Sequence, residues 1–147
     1  MEPTNASLYG KGVFTTIAIV DGSPFLWENH WRRLSVNAET IGIDLTNYSK
    51  SVVADALAVS INEDQITNGR ARITFSDERP SATWPRESSD STKLSIITGG
   101  IRAIPNNFKL DVSPYPVNSL SPLAGVKSCN YLENLMAMDD AKTSGCH

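Results

Sequence analysis

Hydrophobic and polar positions alternate along this chain with two different periods. Residues 70–76, RARITFS, alternate polar and apolar, as a strand with one buried face does. Residues 13–20, VFTTIAIV, are rich in β-branched side chains, and Asp21-Gly22 follows as a turn signal. With Pro24-Phe25-Leu26 starting the return, residues 13–27 are predicted to form a hairpin. A further strand is predicted over residues 93–98, KLSIIT, with Gly99-Gly100 punctuating its end. Two segments keep the helical period instead. Trp31, Leu34, Ala38 and Ile41 share one helical face, and Gly42 is placed to end that helix. Val53, Ala56, Leu57 and Ser60 make a weaker stripe over 49–61, after which Asn68-Gly69 turns into the RARITFS strand. Residues 77–91, with serines, prolines and mixed charge, read as a long surface loop.

The pattern changes after residue 98. GGIRAIPNN, residues 99–107, has the make-up of a linker, and FKLDVS (108–113) is predicted to open a new strand. Pro114, Pro116 and Pro122 keep residues 114–124 extended. A helix is predicted from about Asn130 to Thr143, with Tyr131, Leu132, Leu135, Met136 and Met138 as its apolar members and Gly145 as terminator. The expected fold class is therefore α+β. A small two-layer domain occupies 1–98, a linker 99–107, and residues 108–147 begin a second α/β domain, incomplete because so few elements cannot bury a core.

Composition narrows the function classes. A chain of 147 residues buries roughly 68–70% of its unfolded surface and needs no staples. Hydrophobic content of 40% and charged content of 20% belong to an ordinary soluble protein. A net charge of −3 argues against a general nucleic-acid binder. No apolar run approaches ~20 residues, so no membrane span is expected. MEPTNASLYG lacks a basic segment followed by an apolar core, so no signal peptide is expected and a cytoplasmic location is. Cys129 and Cys146 have no second pair, and His30 and His147 are too scattered, for a metal site.

Lys127 stands out: one lysine between a proline-rich loop and a helix, among small and apolar residues. Four stretches, YGKGVFTT (9–16), NHWRRLSVNAETIGI (29–43), RARITFS (70–76) and SPLAGVKSCNYLENLMAMDDAKTSG (121–145), together resemble the class IV, fold-type IV pyridoxal-phosphate enzymes. That family includes branched-chain and D-amino-acid aminotransferases and aminodeoxychorismate lyases. The resemblance implies a D-amino-acid-aminotransferase-like fold and pyridoxal 5'-phosphate as cofactor. Its substrates would be an amino acid and a 2-oxo acid, with the lyase reaction on 4-amino-4-deoxychorismate as the alternative activity.

In residues, the resemblance implies that Lys127 is the catalytic lysine that links to the cofactor. A lysine must be partly deprotonated to attack an aldehyde, which a desolvated or cation-flanked site favours. Gly125 and Ser128 are small enough to let a cofactor approach. Arg33 matches the arginine on the cofactor phosphate, where a guanidinium fork suits the anion, and its neighbour Arg32 is a solvated helix residue. Tyr131 matches a tyrosine that in some members bonds the ring hydroxyl; core packing is its other reading. Phe14 and Thr16 match positions on the substrate side. Many aminotransferases have a glutamate between those two, where this chain has Thr15, and the FTT form looks like the lyase branch. Arg72 matches an arginine able to pair a substrate carboxylate, or is an exposed strand arginine. Ser76-Asp77-Glu78 stands where D-amino-acid and lyase enzymes often have an arginine, and acids there would repel a substrate carboxylate.

His30 beside Glu28 is read as structural, because residues two apart point to different helix faces. Cys129 is read as a small packed residue. Relative to the family, the strand preceding YGKG is expected to be absent or short, and the carboxylate for the pyridine nitrogen and the phosphate-binding turns to lie beyond the chain. The 147 residues by themselves are therefore expected to be inactive. They are expected to form a homodimer or to associate with a C-terminal half. A non-catalytic fragment is the rival reading from another class.

Overall fold

The computed structural model describes residues 2–81, 84 and 91–147. The elements run α1 (Asn5–Tyr9), β1 (Gly12–Val20), β2 (Ser23–Pro24), α2 (Trp27–Thr40), α3 (Lys50–Glu63), β3 (Gly69–Asp77), β4 (Thr92–Gly100) and α4 (Leu132–Thr143). The four strands form one antiparallel sheet in the order β2-β1-β3-β4. Successive side chains of a strand point to opposite faces. Val13, Thr15, Ile17 and Ile19 of β1 and Ala71, Ile73 and Phe75 of β3 therefore share one face, buried under α2 and α3. Leu34, Ala38, Val53, Leu57 and Ile61 supply the helical side of that core. Each such large apolar side chain contributes about 1.5–3 kcal/mol on burial.

The hairpin forms with Asp21 (φ 48) and Gly22 (φ 72) both in the left-handed region, as a two-residue turn matching the strand twist requires. Its returning limb is only two residues long. Pro24 has no N–H to continue the ladder, Phe25 N–H bonds back to Ala18 (2.8 Å), and Leu26 turns left-handed (φ 54) to start α2. Gly42 (φ 68) follows the end of α2 as expected. The helix α1 was not legible as an element. Thr4 and Ser7 cap it reciprocally, and left-handed Gly10 closes it.

Beyond β4 the structure departs from the sequence reading. Gly99 and Gly100 pair with Arg70 and Gly69, so they end the strand from inside it. Residues 108–113 form no strand. A strand is held by hydrogen bonds to a neighbour, and no described residue offers that segment a ladder. Leu110 and Val112 are instead 78% and 90% exposed. The helix α4 forms as predicted, yet none of its residues is buried. Most of the predicted 77–91 loop lies outside the described residues. Among the described residues, no helix is long and apolar enough to cross a membrane.

Asp77, at the end of β3, falls on the buried face and is almost wholly enclosed. It is ion-paired with Lys11 (3.1 Å) and Arg79 and accepts a hydrogen bond from Asn5 (3.2 Å). Burial alone would push its carboxyl up. The hydrogen bonds from Arg79, Asn5 and Lys11 outweigh this and hold it well below the usual carboxylate range. The expected repulsion of a substrate carboxylate by Asp77 is thus removed by strand parity, since Arg72 points to the other face. Glu78 is engaged by Ser76 Oγ at 2.6 Å.

Candidate active site

β2 covers only the last two residues of β1, which leaves the rest of that edge free for another segment. Residues 127–129 occupy it. Phe14 N–H donates to Lys127 O (3.0 Å), Cys129 N–H donates to Gly12 O (2.8 Å), and Val13 bridges Ser128. Two glycines make this approach possible. A Cβ on Gly12 would sit 2.9 Å from Cys129 Sγ and 3.0 Å from Phe75 O; one on Gly10 would sit 2.7 Å from Asn130 Oδ1. Those contacts give the YGKG stretch its physical reason. Gly12→Ala is expected to cost about 1–3 kcal/mol through overpacking, read as a lower urea midpoint. An unchanged midpoint would mean that 127–131 does not close on β1 in solution.

The rung fixes Lys127 against an aromatic pair. Lys127 is half-buried, and its Nζ lies 3.5 Å from Tyr131 Oη, 4.4 Å from the Phe14 ring centre and 5.0 Å from that of Tyr131. The two rings meet edge to face, 5.2 Å apart, an arrangement contributing about 0.5–1.5 kcal/mol beyond the area it buries. Among the described residues no carboxylate pairs with Lys127. Arg72 lays its guanidinium 3.6 Å from the centre of the Phe14 ring and donates to Thr74 Oγ1 at 3.4 Å. Thr16 pairs with Arg72 across the β1–β3 ladder and is exposed on the same face. Burial pushes the Cys129 thiol up, and the charge and hydrogen bond of Arg72 partly offset this.

Phe14, Thr16, Arg72, Lys127 and Tyr131 are thus brought to one side of β1. Arg33 reaches β1 one residue further along. Its Nη2 donates to Thr15 Oγ1 and lies 3.3 Å from His30 Nδ1, while Thr15 Oγ1 lies 2.7 Å from the same nitrogen. Adjacent residues of one strand, Phe14 and Thr15, therefore hold the lysine and the arginine. Beside Arg33, Asn29, Arg32, Val36 and Asn37 line an open groove, and buried Asn37 Nδ2 has no acceptor among the described residues. Ser128 corrects the expectation of an open approach: it is 4% exposed. Gly125 (φ 79) has open space about it and serves the turn. His30 meets Thr15 and Arg33 and not Glu28, which pairs with Lys50 at 3.0 Å. The sequence did not single out Thr15 as a contact of Arg33. Thr15's signal was a hydroxyl at an inward position between Val13 and Ile17.

The family model for class IV amino-transferases matches residues 12–147. A Methanocaldococcus jannaschii protein named "Putative branched-chain-amino-acid aminotransferase" is 29% identical over 94% of this chain and 49% of its own length. The fold is similar to that of the Pseudomonas aeruginosa 4-amino-4-deoxychorismate lyase, with a TM-score of 0.78 and 21% identity, over 92% of this chain and 50% of that one. The branched-chain amino acid aminotransferase of Escherichia coli matches with a TM-score of 0.68 and 19% identity, over 97% of this chain and 50% of that one. The chain spans about half the length of these relatives.

Proposed function

Because the chain belongs to the class IV amino-transferase family, we propose that it works with pyridoxal 5'-phosphate in moving an amino group between an amino acid and a 2-oxo acid. On this reading β4 closes the small domain at Gly100, so the linker expected over 99–107 begins after that residue, and 108–147 are the start of the cofactor domain. The observation that carries the proposal is Lys127 Nζ, half-buried against Phe14 and Tyr131 with no carboxylate partner among the described residues.

The residues present fit the cofactor. Arg33 presents a guanidinium and Lys127 an amine, neither paired with a carboxylate among the described residues, and a phosphate-bearing aldehyde answers both. When bound, the group supplies an electron sink for charge developing at the substrate α-carbon. Lys127 would hold it and carry the proton at that carbon, with Tyr131 Oη near enough to orient Nζ. Arg33 meets the phosphate with a planar fork. Phe14 and Thr16 line the substrate side, and Arg72, held over the Phe14 ring, pairs a substrate carboxylate.

Removing Arg33 tests the phosphate assignment. Arg33→Ala is expected to weaken pyridoxal phosphate binding by about 1.5–3 kcal/mol, while Arg32→Ala changes it little. Equal dissociation constants for wild type and Arg33→Ala would show that the phosphate lies elsewhere.

Lyase action on 4-amino-4-deoxychorismate is the second reading. It is favoured by Thr16, whose exposed position beside Arg72 belongs to the FTT sequence. Assaying the whole protein with a panel of amino donors and 2-oxo acids, and separately with aminodeoxychorismate, separates the two. Residues 1–147 by themselves are expected to turn over neither. Leu110, Val112 and Leu120 and the apolar side chains of α4 are exposed, a surface that recruits a covering partner. A second copy or further chain in that place, and a cytoplasmic site of action, belong to the same proposal.

A further inference from the structure

Thr15 and His30 are polar groups that the proposed chemistry leaves unused, yet they form a closed hydrogen-bond set with Arg33. Thr15 is fully buried on the core face of β1, at a position that neighbouring Val13 and Ile17 fill with hydrocarbon. A buried hydroxyl is costly unless its hydrogen bonds are made. The donor inventory fixes how they run. A guanidinium has no acceptor, so Thr15 Oγ1 accepts from Arg33 Nη2. Oγ1 has a second lone pair for an Nδ1–H of His30, 2.7 Å away, but the Arg33 Nη2 hydrogens face that same nitrogen at 3.3 Å, so the hydroxyl proton goes to His30 Nδ1. His30 Nδ1 is therefore the acceptor, and the ring carries its proton on Nε2. Both donors converge on one lone pair. A neutral imidazole suits this set best, because an added charge there would face the Arg33 guanidinium. Burial and the Arg33 charge both lower the His30 pKa, in agreement with the geometry.

Arg33 sits on a solvent-facing stretch of α2, where a long side chain free to rotate loses rotamer entropy when it binds. Tying one guanidinium nitrogen to the strand restricts that freedom before any anion arrives, and leaves the remaining N–H groups of the fork available. We propose that Thr15 and His30 are positioning residues that pre-orient the Arg33 guanidinium for the anion it binds. This rests on the reading of Arg33 as the phosphate ligand.

The test compares the affinities of the whole protein for pyridoxal phosphate and for pyridoxal, because their ratio isolates the phosphate. Thr15→Val keeps the buried volume and removes the hydroxyl. It is expected to lower the ratio about five-fold, the worth of one ordinary hydrogen bond, with pyridoxal affinity unchanged. Thr15→Ser restores the ratio. His30→Leu, a change on half-exposed α2 that spares the sheet, lowers it by the same factor and gives the readout should Thr15→Val fail to fold. The double variant lowers it no further than either single change, because the three groups act as one chain. A wild-type ratio in both Thr15→Val and His30→Leu, with Arg33→Ala still collapsing it, overturns the positioning role alone. A wild-type ratio in Arg33→Ala overturns the phosphate reading and this inference with it.

Discussion

Lys127→Ala is expected to abolish turnover of the whole protein while leaving its fold intact. Loss of proton transfer alone removes about 10²–10⁴-fold in rate, and the covalent attachment that the amine provides is lost in addition. Folding should hardly register the change. Lys127 makes one long hydrogen bond to Tyr131 and faces two aromatic rings, contacts of the kind that contribute about 0.5–1 kcal/mol at a partly exposed site. The backbone of residue 127, which pairs with Phe14, is unaffected by truncating the side chain. Steady-state rates with amino donors, set beside urea denaturation of the same variant, measure both halves. Turnover within ten-fold of wild type would remove Lys127 from the chemistry. A large stability loss would make it a structural lysine.

The largest stability effect is expected at Asp77. Its carboxylate is enclosed with Lys11, Arg79 and Asn5, and removing one partner of a buried ion pair costs about 3–5 kcal/mol because the other charges are left uncompensated. Asp77→Ala should fall in that range by denaturant unfolding. The pH dependence has a definite sign. The native carboxyl titrates below its unfolded value of about 3.9, so the unfolded chain takes up the proton first as pH falls. The stabilisation is present above the unfolded value and is lost as pH drops through it toward the native one. Wild-type stability should therefore decline on acidification below about pH 5, and Asp77→Asn should show a flatter acid limb. Parallel acid limbs in the two proteins would show that Asp77 is not the group responsible.

What was legible in the sequence divides along physical lines. Leu34 and Ala38, or Val53 and Leu57, announce their helices because burial repeats at the helical period. Residues 70–76 announce a strand because burial there alternates. Such patterns are local, and local patterns survive in a single sequence. The strand predicted at 108–113 failed for the converse reason. Its composition suits a strand, but a strand exists only beside a partner, and none is present among the described residues. Asp77 was misjudged by one residue of parity. An acid on the site face would repel a carboxylate, whereas on the opposite face it anchors Lys11 and Arg79. Lys127 and Arg33 could be picked out through resemblance, but what holds them could not. Gly10 and Gly12 are small because of Asn130 and Cys129, more than a hundred positions away, and Thr15 is polar because of Arg33 on the next helix. The hydroxyl of Thr15 at an inward position marks that a partner exists, but which distant residue it is leaves no trace in spacing or composition.

The central claim is that Lys127 is the amine that carries pyridoxal phosphate. Borohydride reduction of the whole protein mixed with stoichiometric pyridoxal phosphate, followed by peptide mapping, tests it most directly, since reduction freezes the cofactor onto whichever amine holds it. The account predicts the pyridoxyl mass on the peptide containing GVKSCNY, at Lys127, with Lys11, Lys50, Lys93, Lys109 and Lys142 unmodified. The same mass on any of those five lysines in preference to Lys127, or on no lysine at all, would contradict it.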